Sequence, residues 1–173
     1  MRDEGRGMRD AGCGLDSTLA SRITHPASLI PHPPMTASLT RRVSFSAAHR
    51  YSRPEWNDAQ NMATFGACAW PNFHGHSYVC DVTVNGPIDD KTGFVVDLGV
   101  LDRILKEQVK DRFDHRNINL DVPEFGDGKL VPTGENLARF IFERVDKELP
   151  KPAKVMRVTV GEDATLSATY SRD

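Results

Sequence analysis

From residue 39 the chain alternates. In LTRRVSFSAAH, Val43, Phe45 and Ala47 fall on one side and Arg42, Ser44 and Ser46 on the other, the period of a half-buried strand. A second strand is predicted in SYVCDVTVNG, with Tyr78, Cys80, Val82 and Val84 on one face and Val79, Asp81 and Thr83 on the other. Residues 50–73 form a long excursion between them, with one helical turn expected around NDAQNMATF. A connection of that length inside a compact domain marks function or disorder. After the turn residues of NGPIDDKTG the period becomes helical. Asp97 caps a helix through Phe113, carried by Leu98, Leu101, Leu105 and Val109 with Ile104 beside them. HRNINLDVPEFGDGKLVP is irregular. Thr133 caps a second helix, with Leu137, Ile141 and Val145 at four-residue spacing and Phe140 alongside. Beyond LPKPAK, VMRVTVGE and ATLSATYS read as two closing strands. The order β-β-α-α-β-β predicts an α+β domain, two helices on one face of an antiparallel sheet.

Residues 1–38 do not share this regularity. They are rich in Gly, Ser, Pro and Arg without sustained periodicity, and read as a disordered N-terminal extension. Met35 stands just before the first strand as an alternative start. Residues 39–173 then form the single domain.

Composition adds exclusions. Of 173 residues, 39% are apolar, which affords a core, and the net charge of −2 gives no basic footprint for nucleic acid. No apolar run reaches the roughly 20 residues of a membrane helix. The start lacks the apolar core of a secretory signal, and its acidic residues argue against a transit peptide. Cys13, Cys68 and Cys80 are an odd number without framework spacing, favouring free thiols and a cytoplasmic location.

The chemistry concentrates in a few short segments. His74 and His76 sit two apart at the start of the second strand, so their side chains point the same way. His49 ends the first strand. Antiparallel pairing of the two strands brings it to the same place. Three neutral imidazoles with an open fourth position suit a catalytic zinc; a histidine-bearing turn is the plainer alternative. Cys68 is either a small buried residue or a thiol activated beside a metal. Asp114 and His115 are either an ordinary helix end, where a protonated histidine suits the dipole, or a proton-handling pair. Glu162, at a strand end, is either solvated or free to accept two hydrogen bonds from the N–H/NH₂ edge of a heterocycle. Cys80 reads as inert core.

The segments FSAAHRY, FGACAWPNFHGHSY, GFVVDLGVL, FDHRNINLDVPEF, PTGENLA and VGEDA, in that order, resemble the 6-pyruvoyltetrahydropterin and 6-carboxytetrahydropterin synthases over residues 39–170. The resemblance implies the tunnelling fold, in which sheets of three subunits close a barrel and two trimers stack into a hexamer. Active sites then lie between subunits, an arrangement in which the metal and the pterin anchor can come from different chains. By the same resemblance His49, His74 and His76 bind zinc, and Cys68, Asp114 and His115 are catalytic. Glu162 anchors the pterin, with Thr133 and Glu135 helping to hold the ring. The implied reaction is elimination of triphosphate from 7,8-dihydroneopterin triphosphate, giving a 6-pyruvoyl product or, with acetaldehyde loss, a 6-carboxy product.

The Cys-x5-His-Gly-His spacing resembles the pyruvoyl branch without separating the two. A related side-chain-trimming enzyme tends to carry Glu near the cysteine position, and Cys68 argues against it. Ser77 stands where many relatives have Asn, and Gly134 where some have a second Thr. Arg50 and Lys91 are the basic residues considered for the triphosphate. The rival from another class is a non-catalytic zinc- and pterin-binding protein.

Overall fold

The computed structural model describes residues 35–172; the reading of the N-terminal extension falls on residues that, up to 34, lie outside them. Strand β1 spans Thr36–His49 and β2 spans His74–Pro87. They pair antiparallel along their whole length. β1 therefore starts three residues before the predicted position. β4 (Lys154–Gly161) pairs antiparallel with β2, and β5 (Ser167–Ser171) with β4. The predicted set lacks one strand. The two-residue β3 (Arg116–Asn117) pairs parallel with β1, so the five-stranded sheet runs β3-β1-β2-β4-β5. A segment this short has no side-chain period to announce it.

The long excursion is ordered. Helix α1 (Asp58–Phe65) starts with a capping box, in which Asn57 and Gln60 exchange side-chain and backbone hydrogen bonds. A 3₁₀ turn, Gly66–Ala69, follows and carries Cys68. The buried Asn61 closes this loop: its Oδ1 accepts from Arg53 N at 2.8 Å and its Nδ2 donates to the Arg53 and Trp56 carbonyls at 3.1 and 3.2 Å. The loop's polar backbone is thus satisfied internally.

Asp97 caps α2 (Leu98–Leu105) through Val100 N at 2.9 Å, as predicted. Leu98 is exposed, so the buried row begins at Leu101. Leu101, Leu105, Val109 and Phe113 are all buried at four-residue intervals. A 3.6-residue helix would drift about 40° per step along such a row. The chain takes up the drift with a π-helical segment, Lys106–Lys110, before a last turn, α3 (Asp111–Phe113). The irregular stretch after β3 forms α4 (Ile118–Asp121) and a 3₁₀ turn at Pro123–Phe125, burying Ile118, Val122 and Phe125. Helix α5 (Gly134–Glu148) buries Leu137, Ile141, Val145 and Phe140, as its pattern predicts, and also Phe142.

One core lies between the helices and one sheet face. Val43 opposes Cys80 and Phe45 opposes Tyr78; Phe45 stacks on Tyr78 at 4.8 Å and on Phe113 at 5.3 Å. Cys80 is fully buried, and burial pushes its thiol up to about 12, which fits inert packing. No helix among the described residues is long and apolar enough to cross a membrane.

Truncating Asn61 removes the partners of the Arg53 amide and the Trp56 carbonyl, while the Arg53 carbonyl keeps its bond from Trp56 N. Asn61→Ala should cost about 1–3 kcal/mol in chemical denaturation and speed hydrogen exchange over residues 53–69 ahead of the sheet.

Candidate functional site

The β1–β2 register sets His49 opposite His74 and Ala47 opposite His76. Opposed residues share a face, so all three imidazoles emerge on the core side at one end of the strand pair. One nitrogen from each lies within 4.8 Å of the other two. His49 is fully buried; its Nδ1 lies 3.1 Å from the Pro132 carbonyl and 3.0 Å from the Tyr78 hydroxyl. A carbonyl only accepts, so Nδ1 carries the proton and Nε2 presents a lone pair. That lone pair faces His74 Nε2 at 3.0 Å, and the buried His76 Nε2 has no hydrogen-bond partner.

Burial, then the neighbouring His74, holds the His49 imidazole down at about 4, against the raising effect of Pro132. Burial and His76 also lower His74, while Glu162 opposes them. Converging imidazoles, one donating its far N–H to a carbonyl and one with an orphaned nitrogen, fit a divalent cation.

Glu162 follows β4 and is 5% exposed. A tight turn holds it: Glu162 N donates to the Leu166 carbonyl at 3.0 Å, and Asp163 Oδ1 accepts from Thr165 N and Leu166 N. Tyr51 Oη donates to Glu162 Oε1 at 2.9 Å, and the Tyr51 ring meets His49 edge-on at 4.8 Å. One chain thus brings the imidazole cluster and Glu162 together. The two need not come from different subunits, because β4 lies beside β2 in the sheet. Burial, and next Glu162, raise the Tyr51 phenol far above its ordinary value, so it remains a donor.

Beside Glu162 opens a cleft of about 230 Å³, lined by Tyr51, Phe65, Thr133, Glu135, Leu166 and Ala168 among others. It is smaller than the roughly 300–1,000 Å³ of pockets that enclose a drug-sized ligand. Thr133 lies on it as the N-cap of α5, its hydroxyl accepting from Asn136 N at 3.4 Å; Glu135 is on the exposed rim. A Cβ at Gly134 would stand 3.1 Å from Ala168 Cβ and 4.0 Å from Glu162 Oε1. The departure at 134 therefore widens the cleft floor.

Cys68 is half-buried, and two contacts pin its turn to the chain just after β1. Tyr51 N donates to the Cys68 carbonyl at 2.8 Å, and Arg50 Nε donates to the Ala69 carbonyl at 2.9 Å. Arg50, considered for the triphosphate, thus spends a donor on this turn; Lys91 lies in the exposed turn after β2. Burial, and then Glu162, raise the Cys68 thiol. In the metal-free chain both effects oppose the thiolate; the lowered thiol expected from the sequence is one beside a bound metal. Tyr51 and Tyr78, which both touch His49, feel the same thiol.

Asp114 and His115 lie outside the cleft by Glu162. Asp114 Oδ1 accepts from Ser46 N at 2.9 Å, and His115 N donates to Ser46 O at 2.7 Å. The two side chains stand 4.0 Å apart, with the imidazole 86% exposed. His115 lines an open groove beside His76 and Ser77, not the cleft by Glu162. Among the described residues two non-glycine residues adopt positive φ: His115 (58°) and Phe73 (57°), which directly precedes His74.

Sequence reasoning missed Tyr51, Tyr78 and the Pro132 carbonyl. Tyr78 continues the same-face series of His74 and His76, a signal of period two. Tyr51 stands two residues past His49. Pro132 carries no sequence signal.

Residues 38–173 match the family described as 6-pyruvoyl tetrahydropterin synthase. The chain is 43% identical over 114 residues to the human 6-pyruvoyl tetrahydrobiopterin synthase, covering 66% of this chain and 77% of that one. It is 34% identical over 128 residues to the dihydroneopterin monophosphate aldolase of Pyrococcus furiosus, 74% and 91% respectively. The solved 6-pyruvoyl tetrahydropterin synthase of Caenorhabditis elegans superposes with a TM-score of 0.75 at 36% identity, covering 81% of this chain and 98% of that one.

His49 binds its proton less tightly in the fold than in the unfolded chain, where 6.5 is ordinary. Stability is therefore full above pH 6.5 and falls as pH drops towards about 4. Denaturation of the chelator-treated protein should show a loss on the order of 3 kcal/mol across that window, and bound metal should be released over the same range. A flat profile would contradict the buried, neutral imidazole.

Proposed function

Because the chain belongs to the 6-pyruvoyl tetrahydropterin synthase family, we propose that it is a zinc-dependent lyase that eliminates triphosphate from 7,8-dihydroneopterin triphosphate. The observation that carries this reading is the convergence of three imidazoles beside a buried carboxylate that borders a cleft. His49, His74 and His76 would hold the zinc. Bound there, zinc supplies Lewis acidity towards the hydroxyls of the substrate side chain.

The remaining roles fall to the protein. Glu162 accepts two hydrogen bonds from the N–H/NH₂ edge of the pterin and fixes the ring, so that the side chain is presented towards the imidazole cluster. Thr133 and Glu135 border the ring. Donors on Glu162 offset part of the negative field that raises Cys68, which makes the thiol a better base once substrate is in place. Cys68 takes a proton from the side-chain carbon next to the ring, the electron pair enters the ring C=N bond and the ring takes up a proton. Loss of a second side-chain proton, from the carbon beside the phosphate-bearing one, supplies the pair that expels triphosphate.

Asp114 and His115 complete the relay from a neighbouring copy. The 86% exposure of the imidazole, the small cleft and the unpaired outer edge of β5 support a homo-oligomer of trimers or hexamers with sites shared between subunits. Free thiols at Cys68 and Cys80 support a cytoplasmic location.

The 6-pyruvoyl product is favoured by the names of the relatives at about 40% identity. A carbon–carbon cleaving activity is the second reading, and the archaeal aldolase relative is the observation for it. Incubating the zinc-loaded protein with dihydroneopterin triphosphate and weighing the products separates them. All three side-chain carbons should be retained and triphosphate released; a two-carbon aldehyde would select the cleaving reading. Cys68→Ala should lower turnover by at least about 100-fold while zinc content and pterin binding persist. Unchanged turnover would rule out Cys68 as the base, and a wild type that binds zinc and pterin without turnover would be the non-catalytic binder.

A further inference from the structure

We propose that Tyr51 is a specificity-determining positioning residue that commits Glu162 to ring edges offering two adjacent donors. The inference rests on the reading of Glu162 as the pterin anchor, and deepens it.

Tyr51 links the Cys68 turn, His49 and Glu162. Its amide donates to the Cys68 carbonyl at 2.8 Å, its ring packs edge-on against His49 at 4.8 Å and against Phe65 at 5.9 Å, and its hydroxyl donates to Glu162 Oε1 at 2.9 Å. Towards an ionised carboxylate a phenol can only donate. The bond therefore occupies one acceptor position on Oε1 and fixes the carboxylate plane in a residue that is 5% exposed. What Glu162 still offers the cleft is acceptor capacity alone.

Among the other groups lining the cleft, the Thr133 hydroxyl accepts from the Asn136 amide and keeps its own proton to donate. At the Glu162 edge the ligand must bring the donors. An aminopyrimidinone edge brings a ring N–H and an exocyclic NH₂ side by side. A dioxopyrimidine edge, that of a lumazine, sets a carbonyl oxygen against a carboxylate that cannot turn away from it. An acceptor facing an acceptor leaves both groups unpaired, the arrangement that gives strong rejection in binding sites. Without the hydroxyl, the carboxylate gains a rotation that relieves this clash.

The test is fluorescence titration of the zinc-loaded protein with neopterin and with its 2-oxo lumazine analogue. Tyr51→Phe retains the ring that packs on His49 and Phe65, so zinc content and the rate of Cys68 alkylation should match the wild type. Neopterin affinity should fall about ten-fold, the loss of one charge-assisted hydrogen bond, while lumazine affinity stays the same or rises. In a Glu162→Gln background Tyr51→Phe should have no further effect on either ligand. Wild-type neopterin affinity and selectivity in Tyr51→Phe would overturn the inference alone. Equal losses for both ligands would also overturn it, since they mark general packing. A wild type that binds neither ligand overturns the pterin reading and this inference together.

Discussion

The register of β1 against β2 is the constraint on which the site depends. His49 faces His74, and His76 stands one same-face step further along. A slip of one residue would turn His49 to the opposite face and leave it in solvent. The same register seats Phe45 on Tyr78 and Val43 opposite Cys80 in the core. Core packing therefore enforces the geometry of the cluster: the apolar residues that stabilise the sheet also aim the imidazoles. The fully paired 14-residue strands make this end of the sheet rigid, which a metal centre needs.

Around that frame the electrostatics are opposed. Burial keeps His49 neutral, with its lone pair directed at the cluster; burial and then Glu162 raise the Cys68 thiol, and Glu162 favours charge on His74. Tyr51 and Tyr78 stand between these groups, one on the carboxylate and one on the imidazole. A buried carboxylate beside apolar walls gains most from a ligand that brings donors. The site is built to receive positive charge at the imidazoles and hydrogen-bond donors at Glu162. In the proposed function zinc meets the first demand and the donor edge of the pterin the second.

Much of this was legible in the chain. Period-two alternation placed β1 and β2, and the topology they imply brought His49 to His74 and His76. The Asp97 and Thr133 caps fixed the starts of α2 and α5. The rest follows from tertiary context. β3 is two residues long and carries no period. The π segment after α2 is visible only as a four-residue spacing from Leu101 to Phe113. Asn61 looks like any polar residue of a loop, yet it closes the excursion that carries Cys68. Asp114 and His115 have the composition of a relay, while the single chain sets His115 in an open groove with His76, outside the cleft by Glu162. Where a second copy would complete a site, one sequence names the residues and leaves their partners unspecified.

X-ray absorption at the zinc edge of the purified protein tests the central claim most directly. One zinc per chain, with three imidazole nitrogens at about 2.0–2.1 Å and a light-atom ligand in the fourth position, is the predicted result. A sulfur in the first coordination sphere, or fewer than two imidazoles, would contradict it, because Cys68 would then be a ligand or the cluster of His49, His74 and His76 would not hold the metal.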